Sequence, residues 1–85
     1  MKVSIVIPTY QCADLVGKTL TSIRMGGWDD VEVIVIDGGS KDPIAEVVAS
    51  FGDLVSVFVS ESDNGQYDAI NKGMARATGD VLCWI

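Results

Sequence analysis

The chain has 85 residues, of which 48% are apolar, and carries a net charge of −6 from 12 acids against 6 bases. A chain this short buries only about 60–65% of its unfolded surface, which suits one small domain and no more. The acidic balance leaves no basic stripe for nucleic acid, and the absence of histidine excludes histidine catalysis and histidine metal ligation.

Val3–Pro8 (VSIVIP) opens the chain as a β-branched apolar run closed by proline, the pattern of a strand buried on both faces. Ala13 to Met25 follows with Val16, Leu20 and Ile23 on one helical face, and Gly26-Gly27 ends it. Val31–Ile36 (VEVIVI) is a second buried strand. Asp42 is expected to cap a second helix with Pro43 at its first position, Ile44, Val47, Val48 and Phe51 facing the core, and Gly52 at its end. Leu54–Val59 reads as a third strand. After the polar loop SESDNGQ, Tyr67, Ile70, Met74 and Ala77 mark the core face of a third helix closed by Gly79, and DVLCWI begins a fourth strand.

The resulting order is βαβαβαβ within a single domain over residues 1–85. Strands joined by helical crossovers run parallel, and the crossovers are right-handed in nearly all cases. The expected fold is therefore α/β, a Rossmann-like three-layer α/β/α unit with four parallel strands. No run approaches the ~18 apolar residues of a membrane span, and no secretory leader is expected. Cys12 and Cys83 have neither CxxC nor zinc spacing and read as two reduced thiols in a cytoplasmic protein.

Ligands of such sheets bind beyond the carboxyl ends of the strands. Three segments reach that rim: PTYQ from Pro8, DGGSKD from Asp37, and SESDNGQYD from Ser60. In the second, Asp37 can accept hydrogen bonds from a ligand, Gly38 and Gly39 admit close backbone approach, and Ser40 can cap or donate. The same residues also make an ordinary turn, and spacing alone favours the turn. In the third, Asn64-Gly65 makes a loop turn, and Asp68 and Asn71 share a face near the start of the helix that follows, with Lys72 placed to pair with Asp68 at i, i+4. Those three polar residues either face a ligand or form a solvated helix surface. Tyr10 either stacks on a base or packs against its loop.

Taken together, SIVIPTY, EVIVIDGGSKD and SESDNGQYDAINKGMARATGDVL resemble the N-terminal half of a family 2 glycosyltransferase with the GT-A fold, over essentially the whole chain. The resemblance implies the strand order 3-2-1-4 and a nucleotide-diphospho-sugar donor site. It implies that Pro8, Thr9, Tyr10 and Asp37 line the nucleoside pocket, with Gly38 and Ser40 in the same turn. Gly65, Asp68, Asn71 and Lys72 would face the donor. It also implies a divalent metal, manganese or magnesium, at the diphosphate and a carboxylate base for the acceptor.

The sequence departs from the family pattern at Gly38, where many members carry a second aspartate, at Gln11 in place of asparagine, and at Lys41 in place of threonine. The DxD-type metal motif and the base are expected beyond Ile85. The 85 residues are therefore expected to bind a donor without transferring sugar, with no catalytic or metal-ligating residue among them. The alternative is a non-catalytic module that binds nucleotide or associates with its own copies, as a homodimer through the sheet edge or through Trp84 and Ile85.

Overall fold

The computed structural model describes residues 2–27, 30–62 and 64–84, with side chains as far as residue 80. Strands β1 (Val3–Thr9) and β2 (Val31–Asp37) pair in parallel from Val3↔Val31 to Thr9↔Asp37. The outer strands are β4 (Val81–Trp84) beside β1 and β3 (Val55–Ser60) beside β2, giving the order β3-β2-β1-β4 that the resemblance implies. β1 and β2 are β-branched throughout their middles because both faces are covered: Val6, Val33, Ile34, Val35 and Ile36 have no exposed surface.

Alternation at period two splits this core between the layers. Ile5, Ile7, Val33 and Val35 pack against Val16, Leu20 and Ile23 of α1 (Ala13–Met25) and against Ile44 and Val48 of α2 (Ile44–Ser50). Val6, Ile34 and Ile36 face the opposite side, under Ala69 of α3 (Gln66–Arg76). Each side chain of this kind that is fully buried contributes about 1.5–3 kcal/mol. Helix α3 approaches the sheet closely because Gly73 lies over β1: a Cβ there would sit 2.3 Å from Val6 Cγ1.

Three local expectations are corrected. The second helix starts at Ile44, one residue later than expected, and Asp42 does not cap it with its side chain. The Asp42 carboxylate instead accepts from the Ala13 N–H at 2.9 Å, so it caps the start of α1 across the loop. The third strand begins at Val55, after a 3-10 turn over Gly52–Leu54. Tyr67 is 82% exposed and takes no part in the core face of α3, which is made by Ala69, Ile70 and Gly73. The expectation for Trp84 and Ile85 concerns side chains outside the described residues.

The amino end of the sheet is tied by a buried carboxylate. Glu32 Oε1 accepts from Ser4 Oγ and from the Thr78 N–H, both at 2.8 Å, and its Oε2 accepts from Thr78 Oγ1 at 3.0 Å. Lys2 Nζ lies 3.7 Å from Oε2, and the Gly79 N–H donates to Ser4 Oγ at 2.9 Å. This knot fixes the α3–β4 connection against β1 and β2, at the end of the sheet opposite the rim.

The Thr78 backbone donor leads the influences that hold Glu32 below the ordinary carboxylate value of 4.5. A depressed folded value means that the stability it contributes is complete above about 4.5 and is lost as pH falls through the folded value. Glu32→Gln is accordingly expected to destabilise by about 1.5–3 kcal/mol at pH 7, the range for hydrogen bonds to a charged group. Thermal unfolding across a pH series checks this: the gap to the parent should close in acid, and a gap independent of pH would contradict it.

Candidate functional site

At the carboxyl ends of the two central strands the chain passes into loops stitched together by main-chain bonds. The Gly38 N–H donates to Thr9 O at 2.9 Å and the Glu61 N–H donates to Asp37 O at 3.0 Å. Between these strand ends and the first turn of α3 lies a cleft of about 560 Å³. Pro8, Thr9 and Tyr10 form one wall, Gly38 and Ser62 the loop side, and Gly65, Gln66 and Ala69 the helical side. The volume falls within the roughly 300–1,000 Å³ usual for small-molecule sites.

The sequence placed ten residues here, and the cleft gathers five of them: Pro8, Thr9, Tyr10, Gly38 and Gly65. Tyr10 is 63% exposed, so its ring is available at the mouth rather than packed away. Asp37 lies beneath the rim with no exposed surface, and Ser40 lies beside it, donating to its carboxylate at 2.6 Å.

Asp68 and Lys72 stand on the flank of α3. Asp68 Oδ2 accepts from the Asn64 N–H at 3.0 Å, which steadies the helix start, and the expected i, i+4 pair with Lys72 is present at 3.6 Å. Lys72 also pairs with Glu61 at 3.2 Å and donates to Ser62 O at 3.3 Å, so it braces the loop that lines the cleft. Asn71 is exposed and does not line the cleft. The residues not singled out beforehand are Ser62, Gln66 and Ala69. The first two belong to the SESDNGQYD rim segment, and Ala69 is a small residue with no chemical signature of its own.

Backbone geometry around the cleft is specialised. Gly65, the N-cap of α3, has φ 110° and ψ −176°, a region open essentially to glycine alone. Gln11 has φ 52°, unusual for a residue with a side chain, and is held there by three bonds. Its N–H donates to Ser40 Oγ at 2.7 Å, and its Oε1 accepts from the N–H groups of Lys41 and Asp42 at 2.8 and 3.3 Å. The Gln11 side chain thus joins the β1 loop to the β2 loop.

No side chain that lines the cleft among the described residues carries a charge. Nor do the described residues gather three or more His, Cys, Asp or Glu side chains in a group suited to a metal ion. The donor set needed for the divalent metal implied by the resemblance is not assembled by the described residues. The arrangement can bind: it offers an aromatic face, hydroxyls, main-chain groups and a glycine-lined wall.

Compared with known proteins, residues 4–85 match the family described as "Glycosyl transferase family 2". The chain is a family 2 glycosyltransferase sequence. This member is 34% identical over 84 residues to an uncharacterized glycosyltransferase of Mycobacterium tuberculosis, a match that covers 98% of the chain and 32% of that protein. It superposes with a TM-score of 0.84 on the mannosyltransferase PcManGT of Pyrobaculum calidifontis, solved with GDP-Man and Mn2+. Identity there is 26%, over 95% of this chain and 26% of that one. The glucosyl-3-phosphoglycerate synthase of M. tuberculosis, with a TM-score of 0.81 at 24% identity, shares the fold.

The family 2 chain thus spans about a third or less of the length of these proteins. The chain, with its strand order 3-2-1-4, has the Rossmann-like GT-A fold of these glycosyltransferases. Among the described residues, no helix is long and apolar enough to cross a membrane.

Proposed function

We propose that this chain forms the nucleotide-diphospho-sugar-binding part of a glycosyltransferase, with the donor's nucleoside end in the cleft at the carboxyl edge of β1 and β2. The observation that carries the proposal is the joining of the PTY segment, Gly38 and the Gly65 helix start around one cleft. That this happens in a family 2 chain similar to a mannosyltransferase solved with GDP-Man supports it. In this reading Tyr10 offers a stacking face to the base. Gly38 and Gly65 let the main chain approach the ribose and diphosphate, and Ser62 and Gln66 supply hydrogen bonds.

The proposal extends to the chemistry only in part. Sugar transfer needs charge neutralisation at the leaving diphosphate and a base for the acceptor hydroxyl. The described lining of the cleft carries no charged side chain for either task, so the part proposed for these residues is donor binding. A cytoplasmic location belongs to the same reading and is supported by the free thiol of Cys12.

The test is thermal unfolding of the chain with UDP, GDP and their sugars at millimolar concentration. A ligand present at 100 times its Kd stabilises by about 2.7 kcal/mol, so binding at that excess is expected as a rise in Tm of roughly 10 °C or more. No rise with any nucleotide would defeat the proposal. A second reading, association between copies, has one observation in its favour: β4 is an outer strand of the sheet. Sedimentation that gives a monomer at every concentration tested would remove it.

A further inference from the structure

The acid that ends β2 is engaged on both carboxylate oxygens by its own turn and by β3, yet no part of it reaches the cleft. Asp37 has no exposed surface. Its Oδ2 accepts from the Gly39 N–H at 3.1 Å, the Ser40 N–H at 2.7 Å and Ser60 Oγ at 2.8 Å. Its Oδ1 accepts from Ser40 Oγ at 2.6 Å. A carboxylate with four donors and no solvent has little capacity left for a nucleobase N–H or a ribose hydroxyl.

What these bonds accomplish is visible one step further out. Ser40 Oγ, oriented by its donation to Asp37, accepts from the Gln11 N–H at 2.7 Å. Gln11 sits at φ 52°, a conformation that must be held from outside, and it directly follows Tyr10 on the cleft wall. On the other side, Ser60 Oγ ties the end of β3 to the same carboxylate, just before the loop that brings Ser62 to the cleft.

We propose that Asp37 is a positioning residue, which sets both walls of the nucleotide cleft through Ser40 and Ser60. Among the described residues, the base is then met by uncharged groups, the Tyr10 ring and the Ser62 hydroxyl. This inference rests on the nucleotide-binding reading above. It differs from the expectation that the acid after the second strand contacts the nucleoside directly.

The two roles diverge in selectivity. If Asp37 positions, Asp37→Asn should weaken UDP, GDP and ADP alike, by roughly tenfold or about 1.4 kcal/mol each, and leave their ratios as in the parent. Ser40→Ala, which keeps the carboxylate, should give a smaller uniform loss, and Ser40→Thr, which keeps the hydroxyl, should retain affinity. Calorimetric titration well below Tm reads all three. A selective change of tenfold or more for one nucleotide in Asp37→Asn would overturn the proposal, as would an unchanged Kd with a lowered Tm. Should Asp37→Asn fail to fold, Ser40→Ala decides, and unaltered affinity there would overturn the proposal.

Amide hydrogen exchange separates this inference from the reading it rests on. Ser40→Ala without any ligand should speed exchange at Gln11 as well as at Ser40. Exchange unchanged at Gln11 would defeat the positioning role even if nucleotides bind. Fast exchange at Gln11 in a chain whose parent binds no nucleotide would uphold the relay and defeat only the nucleotide reading.

Discussion

Gly73→Ala is expected to lower the stability of the chain by about 2 kcal/mol or more, against the usual direction for glycine within a helix. Helix propensity alone would favour alanine by about 1 kcal/mol. Packing outweighs it, because the new Cβ would stand 2.3 Å from Val6 Cγ1, 3.0 Å from Cγ2 and 3.2 Å from Cβ. Val6 cannot yield easily: it is β-branched, has no exposed surface and sits in a central strand. Overpacking of this kind typically costs 1–3 kcal/mol, roughly, and sometimes more.

A domain of this size has only about 4–13 kcal/mol in total, so Tm should fall by roughly 10 °C or more. Val6→Ala in the Gly73→Ala background should recover part of the loss, because it removes the methyls that clash. A Tm that is unchanged or raised in Gly73→Ala would show that α3 does not lie where it is described.

Gly65→Ala is expected to act on both stability and binding. Nothing lies within 4 Å of a Cβ at this position, so the effect is purely conformational. The backbone at φ 110°, ψ −176° is closed to alanine, at a cost of about 1–3 kcal/mol if it is forced. The alternative is that the entry to α3 rotates away, which displaces Gln66 and Ala69 from the cleft. Nucleotide affinity should therefore fall at least roughly tenfold, with a clear loss in Tm. Gly27→Ala is the control: it also has positive φ, 67°, and open space, but lies past the end of α1. It should cost about 1 kcal/mol with binding unaltered. Equal effects on binding in the two variants would show that the helix start does not shape the site.

The parallel sheet was legible because β1 and β2 are buried on both faces, and burial of that kind demands uninterrupted β-branched runs. Helix α3 was legible as a helix, and Ile70, Met74 and Ala77 of its expected core face do pack inward, but Tyr67 does not. Periodicity in large apolar residues pointed to Tyr67, while contact with the sheet is made through Gly73 and Ala69, whose smallness is what permits the close approach. Apolar periodicity gives no weight to a glycine, so the signal was present in NKGM but carried no hydrophobicity.

Asp42 was misassigned for a different reason. An acid two residues before a helix looks like a local cap, and only the tertiary fold brings it to Ala13, 29 positions away in sequence. The rim was legible as a set of segments, from the rule that ligands gather at the carboxyl ends of parallel strands. Which members of each segment point inward was not, since Asp37 and Gly38 are neighbours and only Gly38 lines the cleft. Pattern cannot separate an acid held by its own turn from one offered to a ligand, because both need the same residue types at the same spacing.

The central claim is that the cleft at the carboxyl edge of β1 and β2 binds a nucleoside diphosphate. Titration of the chain with UDP or GDP, followed by amide chemical shifts, tests it most directly. The expected result is saturable change at Tyr10, Gly38, Ser62 and Gln66, with Glu32, Thr78 and Gly79 at the opposite end of the sheet unmoved. Shifts confined to that opposite end, or none at millimolar nucleotide, would contradict the claim.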